Sequence, residues 1–417
     1  MTRQASPGRF VPAAFDIRPV PEGDIDAAID VGGIAYHLST PEKDDRARLE
    51  RFLAGARRVG AYDGDVLAGV AATLDLELSI PGGTLPCDGL TWVAVLPTHR
   101  RRGALGAMMA RLFADARERR VPLMALWAAE GAIYGRFGCG VAIRALSVEV
   151  DVRTPLEFRV EPDPRPVRLV DPERADEILA PVHARERARR AGLLARSPEW
   201  WRFQVLHMGL EGPGEGLTPP RVAVLGERGD LAGYAVYRAR SPRDDDSLRD
   251  LEVLELVADD AAATAALWRF LTSIDLVDRV RAWNRPVDDP LPLMAADSDR
   301  VRVTSVADGN WLRLIDVPAA LSARATATDV AVTIGVRDGM LPENAGSWRL
   351  QPGRCERTEA PADLELDVRD LAAAYLGGTP VAVLHAAGLV SERRPGAVAE
   401  LDAAWRTPRA PHGPDDY

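Results

Sequence analysis

The chain predicts a mixed α/β fold: two successive mixed-sheet units of one plan, then a third unit of sheet and helix. Three observations carry this. The run 90–140, LTWVAVLPTHRRRGALGAMMARLFADARERRVPLMALWAAEGAIYGRFGCG, orders itself as strand, basic loop, helix, strand and a short turn bearing Tyr134. A partial echo follows, in which RVAVLGERGDLAGYAVYRAR reads as two strands around a turn and LEVLELVADDAAATAALWRFLTSI repeats strand, loop and helix. At 417 residues the chain exceeds one ordinary core, and beyond 300 the pattern changes again.

Each element has a local reason. Residues 1–14 are a polar, Pro-containing lead-in; 15–20 reads as a strand, 24–36 as a helix and 41–58 as a charged, mostly helical stretch. Residues 61–80 form a hairpin turning at Asp63 and Gly64 and ending at Pro81, Gly82 and Gly83. In the central run, Thr91, Val93 and Val95 alternate with Trp92, Ala94 and Leu96 until Pro97 stops the strand. Helical spacing runs from Ala104 to about Arg120, a strand follows at 121–128, a turn at 131–137, and a strand run at 141–152 closes the first unit. The Pro-rich, charged 154–166 is a linker. Then come a strand at 167–170 and a helix at 171–192 whose basic face, Arg185, Arg187, Arg189 and Arg190, is read as facing solvent. In the third unit, 330–336, 347–351 and 363–366 read as an antiparallel sheet, 368–375 and 397–405 as helices, before the tail TPRAPHGPDDY. The expected domains are 1–153, 165–300 and 301–417.

Composition narrows the partners. A net charge of -10 argues against nucleic acid, whose phosphates need neutralising, and favours cationic ligands. Cys87, Cys139 and Cys355 are scattered, without disulfide-framework or metal-ligand spacing, so no metal is expected. No apolar run approaches the ~18 residues of a membrane span. The expectation is a soluble cytoplasmic protein without a membrane partner.

The loop at 99–106 places His99, Arg100, Arg101 and Arg102 before a helix whose first backbone N–H groups lack partners, a seat for an anion. Together with the strand before it and Tyr134 after it, this order resembles the acetyl-coenzyme A site of the GNAT superfamily of N-acetyltransferases. Arg100 and Gly103 fit that superfamily's loop motif, while Leu105 replaces its usual Gly or Ala. The strings VAVLPTHRRRGALGAMM and GAIYGRFGCG are similar to one branch, the enhanced intracellular survival (Eis) family of multi-acetylating aminoglycoside acetyltransferases. That resemblance implies two tandem GNAT-like domains, the second degenerate and without coenzyme A binding, since Asp259 and Asp260 stand where a pyrophosphate would sit. It also implies a C-terminal domain similar to sterol carrier proteins, entered through WLRLIDVPAAL, and a homohexamer.

Acetyl transfer needs a coenzyme seat, an acid for the leaving thiolate and a base for the amine. The resemblance places acetyl-coenzyme A on Val93, Ala94 and Val95 of the strand, on Arg100, Arg101, Arg102, Gly103, Ala104, Leu105 and Gly106 of the loop, and on Ala129 and Glu130. Tyr134 is the general acid, because a phenol of pKa about 10 matches an alkyl thiol. The base implied by the family is the chain's own C-terminal carboxylate, here Tyr417, with Asp416 left open as the alternative. Tyr36, His37, Asp44 and Asp416 are candidates for acceptor contact. Cys139 has no activating His, so direct transfer is favoured over an acyl-cysteine. The expected function is acetylation of amino groups on aminoglycoside-type polycations. Protein lysine or polyamine acceptors, or a non-catalytic coenzyme A-binding or lipid-carrying role, are the alternatives.

Overall fold

The computed structural model describes residues 15–38, 43–206, 217–240 and 249–417. The first sheet begins with β1 (Asp16–Pro19), then α1 (Ile25–Tyr36) and α2 (Lys43–Ala54), then β2 (Arg57–Asp63) and β3 (Val66–Ile80). β4 (Gly83–Val95), α3 (Ala104–Glu118), β5 (Leu123–Trp127), α4 (Gly131–Tyr134) and the two-residue β6 (Gly140–Val141) complete this stretch. The hairpin between β2 and β3 turns as the sequence expects, but β4 starts at Gly83, earlier than the β-branched run, because Pro81 and Gly82 make a tight turn that keeps the strand paired with β3. Ala71 faces a cluster with Met108, Leu112 and Phe113 of α3, whereas its neighbours Val70 and Ala72 face Ala28 of α1 and Leu53 of α2. Period-2 alternation thus puts α3 on one face of the sheet and α1 and α2 on the other.

The strand run at 141–152 does not close the first sheet. Its core, β7 (Arg144–Asp151), lies in the second sheet, between β12 (Arg279–Pro286) and β13 (Val301–Asp308). That sheet also contains β8 (Val167–Val170), β9 (Arg221–Glu227), β10 (Asp230–Arg240) and β11 (Asp250–Ala258), with α5 (Ala175–Arg187), α6 (Pro198–Trp200), α7 (Ala261–Thr272) and α8 (Leu291–Met294) around it. In return β14 (Asn310–Leu314) crosses back and pairs antiparallel with both β5 and β6. The echo read from sequence is real: β4, α3 and β5 make a parallel pair with a helical crossover, and so do β11, α7 and β12. Each parallel pair is then flanked by a strand the chain supplies from the neighbouring segment.

The third region has α9 (Val317–Ala323), β15 (Val332–Arg337), β16 (Gly346–Gln351), β17 (Arg354–Arg357), β18 (Leu364–Asp367), α10 (Val368–Tyr375), α11 (Val381–Ala386), β19 (Val390–Glu392) and α12 (Ala397–Ala404). Its sheet is mixed and not purely antiparallel, since β15 and β18 run parallel; the connection through β16 and β17 is long enough to return the chain in the same direction. One apolar cluster joins Leu123, Leu312 and Leu314 of the first sheet to Val332, Leu364 and Leu371 of this region. Among the described residues, no helix is long and apolar enough to cross a membrane.

Candidate active site

The site grows from a defect in β4. Val70 of β3 faces Ala94, and Ala72 faces Thr91, so Trp92 and Val93 together oppose Ala71 in a β-bulge. Trp92 takes the bulge's positive φ of 50° and donates its indole N–H to the Ala28 carbonyl at 2.9 Å. A Cβ on Gly32 would lie 2.4 Å from the Trp92 ring, so α1 needs glycine there. The parallel register of β4 with β5 ends at Leu90 opposite Leu126. Past that point the two strands part, and 91–95 offer main-chain groups to an extended ligand.

The loop that follows is built for an anion. Gly103 is the N-cap of α3 in the left-handed region, with no side-chain cap, and a Cβ there would meet nothing within 4 Å. The first-turn N–H groups of Ala104, Leu105 and Gly106 are therefore available to phosphate oxygens. The three arginines divide their work. Arg100 donates to the carbonyls of Ala35 and Val95, and Arg102 pairs with Asp63 at 2.9 Å. Arg101, strained at a φ of 63°, makes no side-chain hydrogen bond or ion pair among the described residues. Ala129 and Glu130 lie between the end of β5 and α4.

The second unit shows the contrast. At the start of α7, the Asp260 carboxylate accepts from the Ala263 N–H at 2.8 Å, filling the helix's anion seat with the chain's own charge. Asp259 pairs with Arg185 at 2.7 Å. The basic face is accordingly only partly solvated: Arg185 and Arg189 stay 38% and 50% exposed, whereas Arg187 pairs with Glu77 and Arg190, just past α5, is buried against Glu186, Asp288 and the Ala410 carbonyl. Sequence could show the positive face but not the carboxylates folded onto it.

Tyr134 is buried in the cluster on the α3 face. Burial drives its hydroxyl well above the usual phenol range, and the nearby Tyr36 and Cys139 add to this, so the phenol holds its proton. Tyr36 donates to the Val93 carbonyl at 2.6 Å and sets its ring edge-on to Trp92, 6.1 Å away. Burial raises its hydroxyl also, against the lowering effect of the Val93 bond. His37 caps α1 and is exposed; Asp44 falls in α2 with its side chain outside the described residues. Tyr36 and His37 do not line the large cleft, although α1 shares a face of the sheet with α2.

That cleft encloses about 800 Å³ between α2, the bulge of β4, residues 196–205 and the C-terminus. Trp92, Trp200, Trp283, Phe203 and Tyr417 form aromatic walls, and Glu199, Glu255, Asp415 and Asp416 bring carboxylates. The lining guanidinium groups are engaged: Arg196 with Glu255 and Asp415, Arg238 with Glu252, Arg48 with the Phe203 carbonyl, and Arg51 over the Phe203 ring. Most of these residues escaped the sequence reading, because 196–205 and 255 are remote from the coenzyme motif and carry no spacing signal of their own.

The Pro-rich tail is docked. The Ala191 carbonyl accepts from the His412 N–H at 2.9 Å, and Asn284 donates to the Gly413 carbonyl at 3.1 Å. Close approach at the crossing requires Gly192, φ 99°, whose Cβ would sit 2.6 Å from the His412 carbonyl oxygen. Asp415 receives Arg196 and Trp200 on Oδ1, and Trp127 on its carbonyl. Tyr417 ends the chain against Gly89 of β4, its ring 5.9 Å edge-on from Trp200. Asp416 faces solvent at the cleft, yet the protein around it raises its carboxyl, with the Tyr417 N–H pulling the other way. Tyr134 and Tyr417 thus occupy opposite faces of one sheet, near the place where β4 and β5 part.

Known proteins share this order of domains. Models of an acetyltransferase (GNAT) domain match residues 16–142 and 192–314, and a sterol carrier protein domain model matches 317–414. The chain is 37% identical over 414 residues to an uncharacterized N-acetyltransferase of Streptomyces avermitilis, covering 95% of this chain and 99% of that one. It is 36% identical over 365 residues to the N-acetyltransferase Eis of Mycobacterium tuberculosis, covering 84% and 85%. The crystal structure of Eis1 from Mycobacterium abscessus matches at a TM-score of 0.83 and 33% identity, over 97% of this chain and all of that one. With both halves of the tandem and the third domain in place along nearly its whole length, the chain belongs to the Eis family of GNAT N-acetyltransferases, whose GNAT domains imply acetyl-coenzyme A as cosubstrate.

Proposed function

We propose that this N-acetyltransferase uses acetyl-coenzyme A to acetylate amino groups of polycationic small molecules of the aminoglycoside type, by direct transfer. The observation that carries this reading is the chain's own acidic C-terminus, ending in an aromatic-walled cleft on the face opposite Tyr134. Aromatic faces and carboxylates suit ammonium groups.

The residues present fit the cosubstrate. Gly103 to Gly106 would take the pyrophosphate on main-chain N–H groups with Arg101 beside them, and 91–95 would take the pantetheine arm along the splayed strand. A main-chain N–H of that strand would stabilise negative charge developing on the thioester oxygen. The amine nitrogen attacks the acetyl carbon and forms the C–N bond while the C–S bond breaks. The Tyr417 carboxylate accepts the proton lost by the nitrogen, and Tyr134 donates its own to the departing sulfur. Proton return through solvent resets both groups.

The test is coenzyme A thiol release with aminoglycosides, polyamines and a lysine peptide, for wild type and a variant lacking Tyr417. Multiple acetylation of an aminoglycoside, lost with Tyr417, is the expected result. Turnover that survives the truncation moves the base elsewhere, with Asp416 next in line; release with the peptide alone replaces the acceptor class. The same reading includes a homohexamer, checked by light scattering.

A further inference from the structure

Arg196 is a guanidinium held in the interior, its side chain 1% exposed. Nη1 and Nη2 grip both oxygens of Glu255 at 2.9 and 2.5 Å, Nε donates to Asp415 Oδ1 at 2.8 Å, and the Trp201 ring lies 4.5 Å from the guanidinium carbon. Tyr234 donates to Glu255 from behind. Glu255 sits on β11 and Tyr234 on β10, so this cation and its backing belong wholly to the second unit.

Asp415 is where that unit meets the first. Its Oδ1 also accepts from Trp200 Nε1 at 2.7 Å, and its main-chain carbonyl accepts from Trp127 Nε1, at the end of β5, at 2.6 Å. Beyond Asp415 the tail is held through Tyr417, whose ring meets Gly89 and Trp200 and packs against two apolar clusters, with its hydroxyl on the Asn310 side chain. Two residues span at most about 7 Å. A closed clamp on Asp415 therefore keeps the terminal carboxylate at the cleft, and an open one leaves it held by the packing of the Tyr417 ring alone. Without Arg196, Glu255 and Asp415 would stand together as two buried carboxylates with no cation between them, a destabilised pair relieved by protonating one carboxyl or by moving one out to water. Asp415, near the chain end, is the one able to leave.

We propose that Arg196 is a positioning residue for acetyl transfer: by clamping Asp415 it holds the last two residues in the cleft, so the second unit serves the active site of the first. This rests on the base role proposed for the Tyr417 carboxylate. It also gives the second unit a task in the reaction, although its own helix N-terminus is capped by Asp260.

The experiment measures two quantities on full-length wild type, Arg196→Met and Arg196→Lys. One is tyrosine release by a carboxypeptidase selective for C-terminal aromatic residues, which needs no turnover. The other is kcat, with the KM for acetyl-coenzyme A, in the full chain and in a background lacking Tyr417. The expected result is release at least tenfold faster in Arg196→Met, partial protection restored by lysine, and a kcat loss of about tenfold or more with the acetyl-coenzyme A KM within twofold. In the background lacking Tyr417, Arg196→Met should cost no further activity, because it acts through the residue already removed. Equal release rates, or kcat losses that multiply in the truncated background, overturn the proposal. Turnover untouched by loss of Tyr417 overturns the base role and the catalytic half of this inference, while the release rates still decide whether the clamp exists. Should Arg196→Met fail to fold, Trp200→Phe and Asp415→Asn carry the same comparison with smaller disturbance.

Discussion

The indole N–H of Trp127 donates to the main-chain carbonyl of Asp415 across 2.6 Å, tying the end of a strand in the first sheet to the third residue from the C-terminus. The bond brings together parts of the chain that sequence keeps 288 residues apart. Removing the donor while keeping an aromatic ring, Trp127→Phe, is expected to destabilise the fold by about 1 kcal/mol, the net worth of one hydrogen bond. Turnover should fall more than stability does. Chemical denaturation and kcat measured on the same preparation check this, and an unchanged kcat would separate the bond from the reaction.

Tyr134 carries its proton because burial raises its hydroxyl above the ordinary phenol value. A raised acid stays protonated as pH climbs, so the acid's contribution should persist across pH 7 to 10. Tyr134→Phe is expected to lower kcat by about 10²- to 10⁴-fold, the range for a positioned general acid. The checks are the pH profile and the variant's kcat. An alkaline fall well below pH 10 that disappears in Tyr134→Phe would contradict the assignment.

Arg101 is the arginine of the loop that the fold leaves without a side-chain partner among the described residues, whereas Arg102 is held by Asp63. Arg101→Ala should raise the KM for acetyl-coenzyme A by about tenfold or more, the worth of a charge-assisted contact to phosphate. Its melting temperature should barely move, as for most exposed positions. A stability loss with an unaltered KM would reverse that division of labour.

Glu255 gives a pH dependence of definite sign. Burial alone would raise its carboxyl, but Arg196, then His183 and Tyr234, override it and hold the group at about 2, below the ordinary 4.5. A depressed acid contributes stability above its unfolded pKa and loses it as pH falls from about 4.5 toward 2. Asp415 has the opposite sign: desolvation raises it despite Arg196, so its share is a cost at neutral pH that fades on acidification. Glu255→Gln should therefore flatten the acid limb of the stability curve between pH 4.5 and 2. Urea midpoints across that window measure it, and an unchanged slope would assign acid unfolding to other carboxylates.

Gly32 faces Trp92 so closely that a methyl group would sit 2.4 Å from the ring. Gly32→Ala should cost about 1 to 3 kcal/mol, as overpacking does. It should also weaken acceptor binding, since Trp92 walls the cleft. Tryptophan fluorescence on adding an aminoglycoside compares the two proteins, and identical titrations would remove Trp92 from the acceptor's path.

Much of this protein was legible in one dimension where its physics is local. The strand before Pro97, the glycine-led helix N-terminus and the short turn to Tyr134 depend on residues close in sequence, so β-branched residues, Pro97 and the glycines were enough to place them. The echo in the second unit was visible for the same reason. The bulge at Trp92 and Val93, by contrast, breaks the expected alternation and sets Thr91 and Ala94 on one face. The tail was legible only through family resemblance, because TPRAPHGPDDY carries no periodicity.

What the sequence by itself determined is local order: which strand leads into the basic loop, which helix follows Gly103, which tyrosine comes after the next strand. The tertiary structure decided the aromatic-walled cleft and the tail docked in it. Whether the basic face of α5 meets water or Asp259, whether β7 closes the first sheet or crosses to the second, and where Tyr417 comes to rest all depend on contacts between distant segments. Burial there joins charges such as Arg196 and Asp415, 219 residues apart, and no spacing rule records such a pair before the chain has folded.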